Sequence, residues 1–290
     1  MQRRAFGTGL LVLGMAALGV ASSTLTGCKD TKLVSEQHAR EHVKSLVEVV
    51  RGDVEEVRKG MPVGAAHLSQ LFAKESPREE MAEPARKALE RARNKTQDLR
   101  VAKSTFFAVA GRDGVVIRSD QEQDRMAGRP LFKAFPGLKQ ALTGKYVETH
   151  GAMEEASGVK GKPDGQWAVA QPIKAGGDTK GLYASGWSWS AYAYRLEFRL
   201  RSRLKSALDE YDKMPLIYVF MVVDQAAYGA PVTAPVSQET VSKLDSMSKL
   251  DGDGMFCTTL DITGRGYGLA VKGVPVLGKG IGIAVLRSET

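Results

Sequence analysis

The spacing of apolar residues changes at Ser104, and that change constrains the fold of this chain most. Between positions 33 and 61 apolar side chains recur at steps of three and four, the spacing of one helix face. After Ser104, short apolar runs alternate with glycine-rich turns, which is typical of strands. A 290-residue chain of this kind is predicted to be α+β, with about two domains.

The segment 28–103 is predicted to be a helical stalk with a charged outer face. Gly60, Pro62 and Gly64 are expected to break its first long helix, because glycine and proline both disfavour a helix interior. A further helix is expected to run from Pro84 to about Val101, with Ala88 and Leu89 on its apolar face.

Two sheet-forming units are predicted after the stalk. The first, 104–213, contains a hairpin, a helical stretch, three strands near 146–149, 166–173 and 181–189, and an exit helix. The second, 214–290, contains one buried strand, a helix and three more strands, with an Ala-, Gly- and Pro-rich loop at 224–235 where a second strand would stand. Phe106, Phe107, Val109 and Ile117 are expected to lie in the core.

This order of elements resembles the Cache family of extracellular sensor domains, a relative of the PAS fold. The segments that carry the resemblance are 106–120, 126–131, 168–173 and 181–188. The resemblance implies a five-stranded antiparallel sheet with flanking helices, and small molecules bound between that sheet and a covering helix and loop. The second, smaller PAS-like α/β unit makes the whole chain similar to a double-Cache arrangement.

Five residues of the first unit are candidate ligand contacts. Arg118 and Asp120 are two apart on a predicted strand and therefore share a face. Tyr183 and Trp187, four apart on another strand, also share one, and Trp167 lies on the predicted strand 166–173. We expect Arg118 to hold a carboxylate and Asp120 an amine, which makes an amino acid or a similar small metabolite the first candidate ligand. Solvent exposure for the charges and a core role for the aromatic rings are the alternatives.

The first thirty residues read as an export signal. Arg3 and Arg4 precede an uncharged stretch that ends in Leu25–Thr26–Gly27–Cys28. That ending resembles the lipobox of bacterial lipoproteins, which implies that residues 1–27 are removed and that Cys28 carries lipid, palmitate included.

The same resemblance implies a protein held outside the cytoplasm in the cell envelope. Lys29 after the cysteine favours the periplasmic face of the outer membrane. Arg3–Arg4–Ala5–Phe6 also resembles the twin-arginine signal, so the export route stays open.

Several functional classes find little support in the sequence. Without Arg3 and Arg4 the chain has 39 basic and 33 acidic side chains, a net charge of +6 that is too dispersed for nucleic acid. His38, Glu41 and His42 fit the H-x-x-E-H spacing of zinc peptidases, but a solvated helix face is the preferred interpretation. Cys257 is expected to be a buried apolar side chain, and no cofactor motif is present.

The sequence therefore favours a non-enzymatic, lipid-anchored extracytoplasmic sensor or small-molecule-binding protein. The chain shows no kinase or methyl-accepting segment, so any signal must pass to a partner, such as a separate membrane signalling protein. Two alternatives remain: a structural or scaffold envelope lipoprotein with a degenerate sensor fold, and a metallopeptidase acting through His38, Glu41 and His42.

Overall fold

The longest element is a 42-residue helix that packs across two β-sheets. A computed structural model describes residues 27–73, 76–154, 163–209 and 212–289. Its α-helices are α1 (Gly27–Leu68), α2 (Arg78–Lys95), α3 (Gln97–Val101), α4 (Leu131–Ala134), α5 (Trp189–Lys205) and α6 (Pro235–Lys243). At 1.5 Å per residue α1 is about 63 Å long, and it contacts strands of both sheets.

The break predicted at Gly60, Pro62 and Gly64 is wrong, because α1 continues to Leu68. Both glycines lie where other elements approach α1 closely. A Cβ at Gly60 would stand 2.6 Å from Leu99 Cδ2, and one at Gly64 would stand 2.7 Å from Tyr183 Cε1. Because these glycines have no side chain, α3 and the first sheet can pack directly against the backbone of α1. This packing stabilises the helix.

Within the described residues the strands form two five-stranded sheets in which every pairing is antiparallel. The Cache resemblance implied the first sheet, and the second has one strand more than the sequence predicted. The first has the order β2-β1-β5-β4-β3 and the second β7-β6-β10-β9-β8. The first sheet contains β1 (Phe106–Gly111), β2 (Val116–Ser119), β3 (Val147–Glu154), β4 (Pro163–Ala175) and β5 (Asp178–Ser188). The second contains β6 (Leu216–Val223), β7 (Ala226–Gly229), β8 (Met255–Ile262), β9 (Arg265–Gly273) and β10 (Ile281–Ser288).

The second unit has the strand that the sequence analysis did not find. β7 lies within the segment expected to be a loop, and it pairs with β6 from Phe220–Gly229 to Val223–Ala226. β7 has only four residues and forms the edge of the sheet. Its alanines and glycine are not strand-favouring residues, so the sequence shows no strand pattern at this position. The two units are therefore more alike than the sequence suggested.

Close backbone contact joins α1 to the second sheet. A Cβ at Gly268 on β9 would stand 2.0 Å from the backbone nitrogen of Glu36, so only glycine fits there. Beside it, Lys32 Nζ donates to Asp261 Oδ2 at 2.6 Å. The glycine-rich segment 264–268 thus serves helix-on-sheet packing.

The segment up to residue 26, which belongs to the predicted signal peptide, and the side chain of Cys28 lie outside the described residues. Within the described ranges, no helix combines the length and the apolarity that a membrane crossing requires.

Candidate ligand-binding site

The two faces of the first sheet are packed by different helices. One face, here the stalk face, carries Phe107, Val109, Trp167, Tyr183 and Trp187 and belongs to the core shared with α1, α2 and α5. The opposite face, here the covered face, carries Phe106, Ala108, Ala168, Ala170 and Ala184. It lies beneath a covering segment made of α4 and the 3-10 turn Pro136–Thr143.

All five candidate ligand contacts lie on the stalk side of the sheet. Val109 of β1 stands opposite both Arg118 and Tyr183, and directly paired residues share a face. Trp167 and Trp187 are paired on the same face, and Asp120 follows β2 and contacts α2. The structure therefore places these side chains on the side of the sheet away from the covering segment. The resemblance implies a ligand on the other side, between the sheet and that segment. Their contact with a ligand stays a prediction.

Asp120 binds two other elements of the chain. Its Oδ1 accepts from the backbone N–H of Phe107 at 2.8 Å, and its Oδ2 accepts from Arg93 Nη1 at 3.0 Å. Burial raises the pKa of Asp120, and the hydrogen bond from Phe107 and the charge of Arg93 oppose that rise. Asp120 thus fastens the end of β2 to β1 and α2.

Arg118 is paired with Asp124. Its Nη1 lies 3.4 Å from Asp124 Oδ2, and its Nη2 donates to the carbonyl oxygen of Gln121 at 3.3 Å. Asp124 also accepts from Ser119, Met126 and Ala127. Burial raises the pKa of Asp124, but these hydrogen bonds outweigh it and hold the pKa below its usual value. A ligand carboxylate would have to share Arg118 with Asp124.

The three aromatic candidates form a buried layer behind these charges. The rings of Trp167 and Trp187 have centroids 4.4 Å apart, and Tyr183 stacks on Phe107 at 5.9 Å. Among the described residues, the Tyr183 hydroxyl and both indole N–H groups have no hydrogen-bond partner. Burial raises the pKa of Tyr183, so its hydroxyl stays protonated and available as a donor.

Arg118 and Asp120 also line an open cleft of about 700 Å³ between α2, α3 and the end of β2. Its other charged residues are Arg86, Glu90, Arg93, Arg100 and Glu122. Four arginines against three acids leave a small positive excess. This α2–β2 cleft is the place where Arg118 and Asp120 are accessible to a small anion.

Gln166 on the covered face is a polar residue that the sequence analysis missed. It stands opposite Gly151 of β3 and Ser188 of β5, and Gly151 is in close contact with the backbone of α4. Its side chain is 0% exposed, and within the described part of the chain neither its amide oxygen nor its amide nitrogen has a partner. Buried amides are normally satisfied, so this one needs an explanation.

Strand alternation was the signal that could have found Gln166. Trp167 and Val169 mark one face of β4, which assigns Gln166 to the face of Ala168 and Ala170.

The histidines of the H-x-x-E-H motif are half-buried and have partners of their own, whereas Glu41 is exposed as the sequence predicted. His38 Nδ1 lies 2.9 Å from Glu289 Oε1, and Arg287 donates to His42 Nε2. Both partners belong to the end of the chain, so the motif joins α1 to β10. No group of three or more His, Cys, Asp or Glu side chains in the described ranges is arranged to hold a metal ion.

Cys257 is half-buried rather than fully buried. It packs at the margin of the core shared with α1, and burial raises the pKa of its thiol.

The architecture matches solved sensor structures, although no family model and no curated protein matches the sequence. The extracellular domain of a protein described as the histidine kinase vpHK1S-Z8 is 9% identical and has a TM-score of 0.55. That match covers 90% of this chain and 93% of the other. "Methyl-accepting Chemotaxis protein X" is 12% identical with a TM-score of 0.50, covering 90% of this chain and all of the other.

A third match, the ligand-binding domain of the Pseudomonas fluorescens chemoreceptor CtaA in complex with L-isoleucine, is 10% identical with a TM-score of 0.46, covering 90% of this chain and 93% of the other. The matched structures are sensory domains rather than enzymes. The Cache/PAS-like α+β fold predicted from the sequence is confirmed.

Proposed function

We propose that this protein is an extracytoplasmic sensor that binds a small molecule and passes the signal to a partner. The observation that carries the proposal is the architecture, in which one long helix packs on two five-stranded sheets. Over 90% of the chain this fold matches the extracellular domain of a protein described as a histidine kinase. We further propose that this partner is a separate membrane signalling protein.

We place the ligand on the covered face, beside Gln166. The Gln166 amide, which has no partner among the described residues, offers one acceptor and two donors inside an apolar environment of alanines and phenylalanines. A compound with a carboxylate and an ammonium group complements both ends of that amide, because the N–H groups donate to the carboxylate and the oxygen accepts from the ammonium. An amino acid or a similar small metabolite fits this chemistry.

The α2–β2 cleft is the alternative position for the ligand. There Arg118 would contact a carboxylate and Asp120 an amine, with Trp167, Tyr183 and Trp187 as the buried layer behind them. Both charges already have partners within the chain, so the covered face is the better supported position.

A thermal-shift screen of the purified protein against amino acids, organic acids and amines tests the function. A ligand at 100 times its dissociation constant adds about 2.7 kcal/mol to the free energy of unfolding. Gln166→Leu should abolish that shift while costing the ligand-free protein little, because it replaces an unsatisfied buried amide with an apolar group of similar size.

Two control variants distinguish the positions of the ligand. Gln171→Leu makes the same change on the other face of β4 and should keep the shift. Arg118→Gln should also keep it, and loss of the shift in that variant alone would move the ligand to the α2–β2 cleft. If no compound in the screen shifts the wild type, the scaffold alternative becomes the better one.

We propose that the chain is lipidated at Cys28 and anchored in the cell envelope, on the periplasmic face of the outer membrane. The support is the lipobox-like Leu25–Thr26–Gly27–Cys28. Cells that express the wild type should incorporate labelled palmitate into the protein, and Cys28→Ala should leave an unlabelled product of precursor size. Continued labelling of that variant would contradict the anchor.

A further inference from the structure

The outer side of α2 and α3 is basic. Between positions 86 and 100, six side chains are basic and two are acidic. The basic residues are Arg86, Lys87, Arg91, Arg93, Lys95 and Arg100. The buried side of the same helices is apolar, so these charges lie on the surface or at its margin. A surface of one charge sign attracts a partner of the opposite sign.

Part of this charge is neutralised within the chain. Arg86 contacts Glu83 at 2.8 Å, and Arg93 contacts Asp120 at 3.0 Å. Three exposed cations have no such partner. Among the described residues, no carboxylate lies within 4 Å of Arg91, Lys95 or Arg100. These three are the available cations of the surface.

Two of the available cations line an open groove between the end of α1 and α2. This α2 groove has a volume of about 880 Å³, and Lys87 lines it as well. A recess of about 160 Å³ shares four lining residues with the groove. None of the described residues around the recess is acidic, so a carboxylate there would meet only positive and neutral groups. The polar residues that line the recess are His67, Ser69, Gln70, Arg91 and Lys95.

The rest of the α2 groove suits a polypeptide better than a nucleic acid. Leu71 and Ala88 offer apolar contact, and Glu83 and Glu90 add two carboxylates. These carboxylates repel a polymer with a negative charge on every unit, whereas a polypeptide can place its acidic side chains away from them. The described lining of the groove also contains no aromatic ring on which a base would stack.

The α2 groove lies at the end of α1 opposite Cys28. Between Cys28 and His67 the helix rises about 58 Å, at 1.5 Å per residue. The groove is thus remote from the membrane anchor proposed above, and anionic lipid is the less suited occupant.

We infer that the α2 groove binds an acidic segment of a partner protein. A carboxylate in the recess accepts hydrogen bonds from Arg91 and Lys95, and such charge-assisted bonds are stronger than neutral ones. A neighbouring acidic side chain faces Lys87, and apolar side chains of the segment pack on Leu71 and Ala88. The inference goes beyond the proposed function, because binding here requires no small molecule on the covered face.

Fluorescence anisotropy with the purified full-length protein in detergent tests the inference. The probe is a labelled peptide with glutamate at every third position and alanine or leucine between, and the same peptide with glutamine is the control probe. We expect saturable binding of the glutamate peptide alone. Added salt should weaken that binding, because the charges of the groove are exposed.

Two charge reversals of equal size locate the binding site. Arg91→Glu with Lys95→Glu should raise the Kd about tenfold, because two attractive exposed pairs become repulsive. Lys243→Glu with Lys279→Glu changes the net charge equally at exposed positions of the second unit, and it should leave the Kd unchanged. Arg91→Gln with Lys95→Gln should give an intermediate Kd, and it replaces the reversal if the reversal unfolds α2.

Three results would overturn the inference. The first is a wild type that shows no saturable binding of the glutamate peptide. The second is an equal effect of the two charge reversals, which would mean that only net charge matters. The third is stronger competition by an oligothymidylate strand, or by mixed micelles with phosphatidylglycerol, than by unlabelled peptide, which would assign the groove to a nucleic acid or to a membrane.

Discussion

Tyr192 of α5 donates a hydrogen bond to Asp53 of α1 across 2.7 Å, although 139 positions separate the two residues. Both side chains are buried. Burial raises the pKa of Asp53, and the hydrogen bond from Tyr192 opposes that rise. The Tyr192 ring also stacks on Trp187 with centroids 4.4 Å apart. This pair therefore joins the long helix to the first sheet and to the helix that leads into the second.

Tyr192→Phe should lower the free energy of unfolding by about 1–3 kcal/mol, because it keeps the ring but leaves a buried carboxylate without its donor. Urea denaturation measures the change. Tyr194→Phe, which removes an exposed hydroxyl two residues away, is the control and should stay within about 0.5 kcal/mol of the wild type. Equal stability of the two variants would show that the hydrogen bond contributes nothing.

Two glycines of α1 should respond to alanine in opposite directions. At Gly52 the new Cβ meets open space, so Gly52→Ala should stabilise the protein by up to about 1 kcal/mol through helix propensity. At Gly64 the new Cβ would stand 2.5 Å from Leu99 Cδ1, so Gly64→Ala should cost about 1–3 kcal/mol by overpacking. Thermal unfolding of both variants checks this, and a stabilised Gly64→Ala would contradict the close packing of α3 on α1.

Asp124→Ala should destabilise the protein by at least about 2 kcal/mol, because it leaves donors of Ser119, Met126 and Ala127 without their acceptor. Glu122→Ala, at an exposed position of the same loop, is the control. Chemical denaturation compares the two, and similar midpoints would mean that the Asp124 contacts do not hold this loop.

The contact between His42 and Arg287 predicts a loss of stability at acid pH. Burial, then the charges of Arg287, His38 and Arg203, lower the pKa of His42 from 6.5 to about 4, while Glu289 acts in the opposite direction. The folded state therefore favours the neutral ring. Its contribution to stability is complete above pH 6.5 and is lost as the pH falls through 4.

His42→Gln removes that titration and is the variant to compare. Between pH 6.5 and 4 the melting temperature of the wild type should fall further than that of His42→Gln, because carboxylates such as Asp124 and Glu289 titrate in both proteins. Parallel pH profiles of the two proteins would show that His42 titrates normally in the folded state.

Local pattern was enough to predict the order and type of most elements. The apolar repeat through Val43, Val50 and Val57 requires a buried helix face, and those side chains are buried as predicted. The apolar run Leu216–Val223 is a strand paired on both sides. These signals are local, because a helix or strand that must cover a core repeats apolar residues at its own period.

Contacts between distant segments decided what the sequence left open. Alternation predicted that Tyr183 and Trp187 share a face. Only the packing of α1 and α2 against that face showed that it is the face away from the covering segment. A bulge between Val109 and Ala110 likewise sets the side to which Arg118 turns. From the sequence, Gly60 and Gly64 predict a break in the helix. Only the close approach of Leu99 and Tyr183 explains why glycine occupies these positions inside α1.

The sequence by itself determined the first helix as far as Met61, most strands of the two sheets and the residues able to form their cores, because hydrophobic periodicity is a property of each segment alone. The tertiary structure decided which side chains meet, such as Arg118 with Asp124 and Tyr192 with Asp53. It also buried the Gln166 amide, which has no partner among the described residues. These depend on which face each helix covers, and that choice is made by the total burial and close packing of all the segments together.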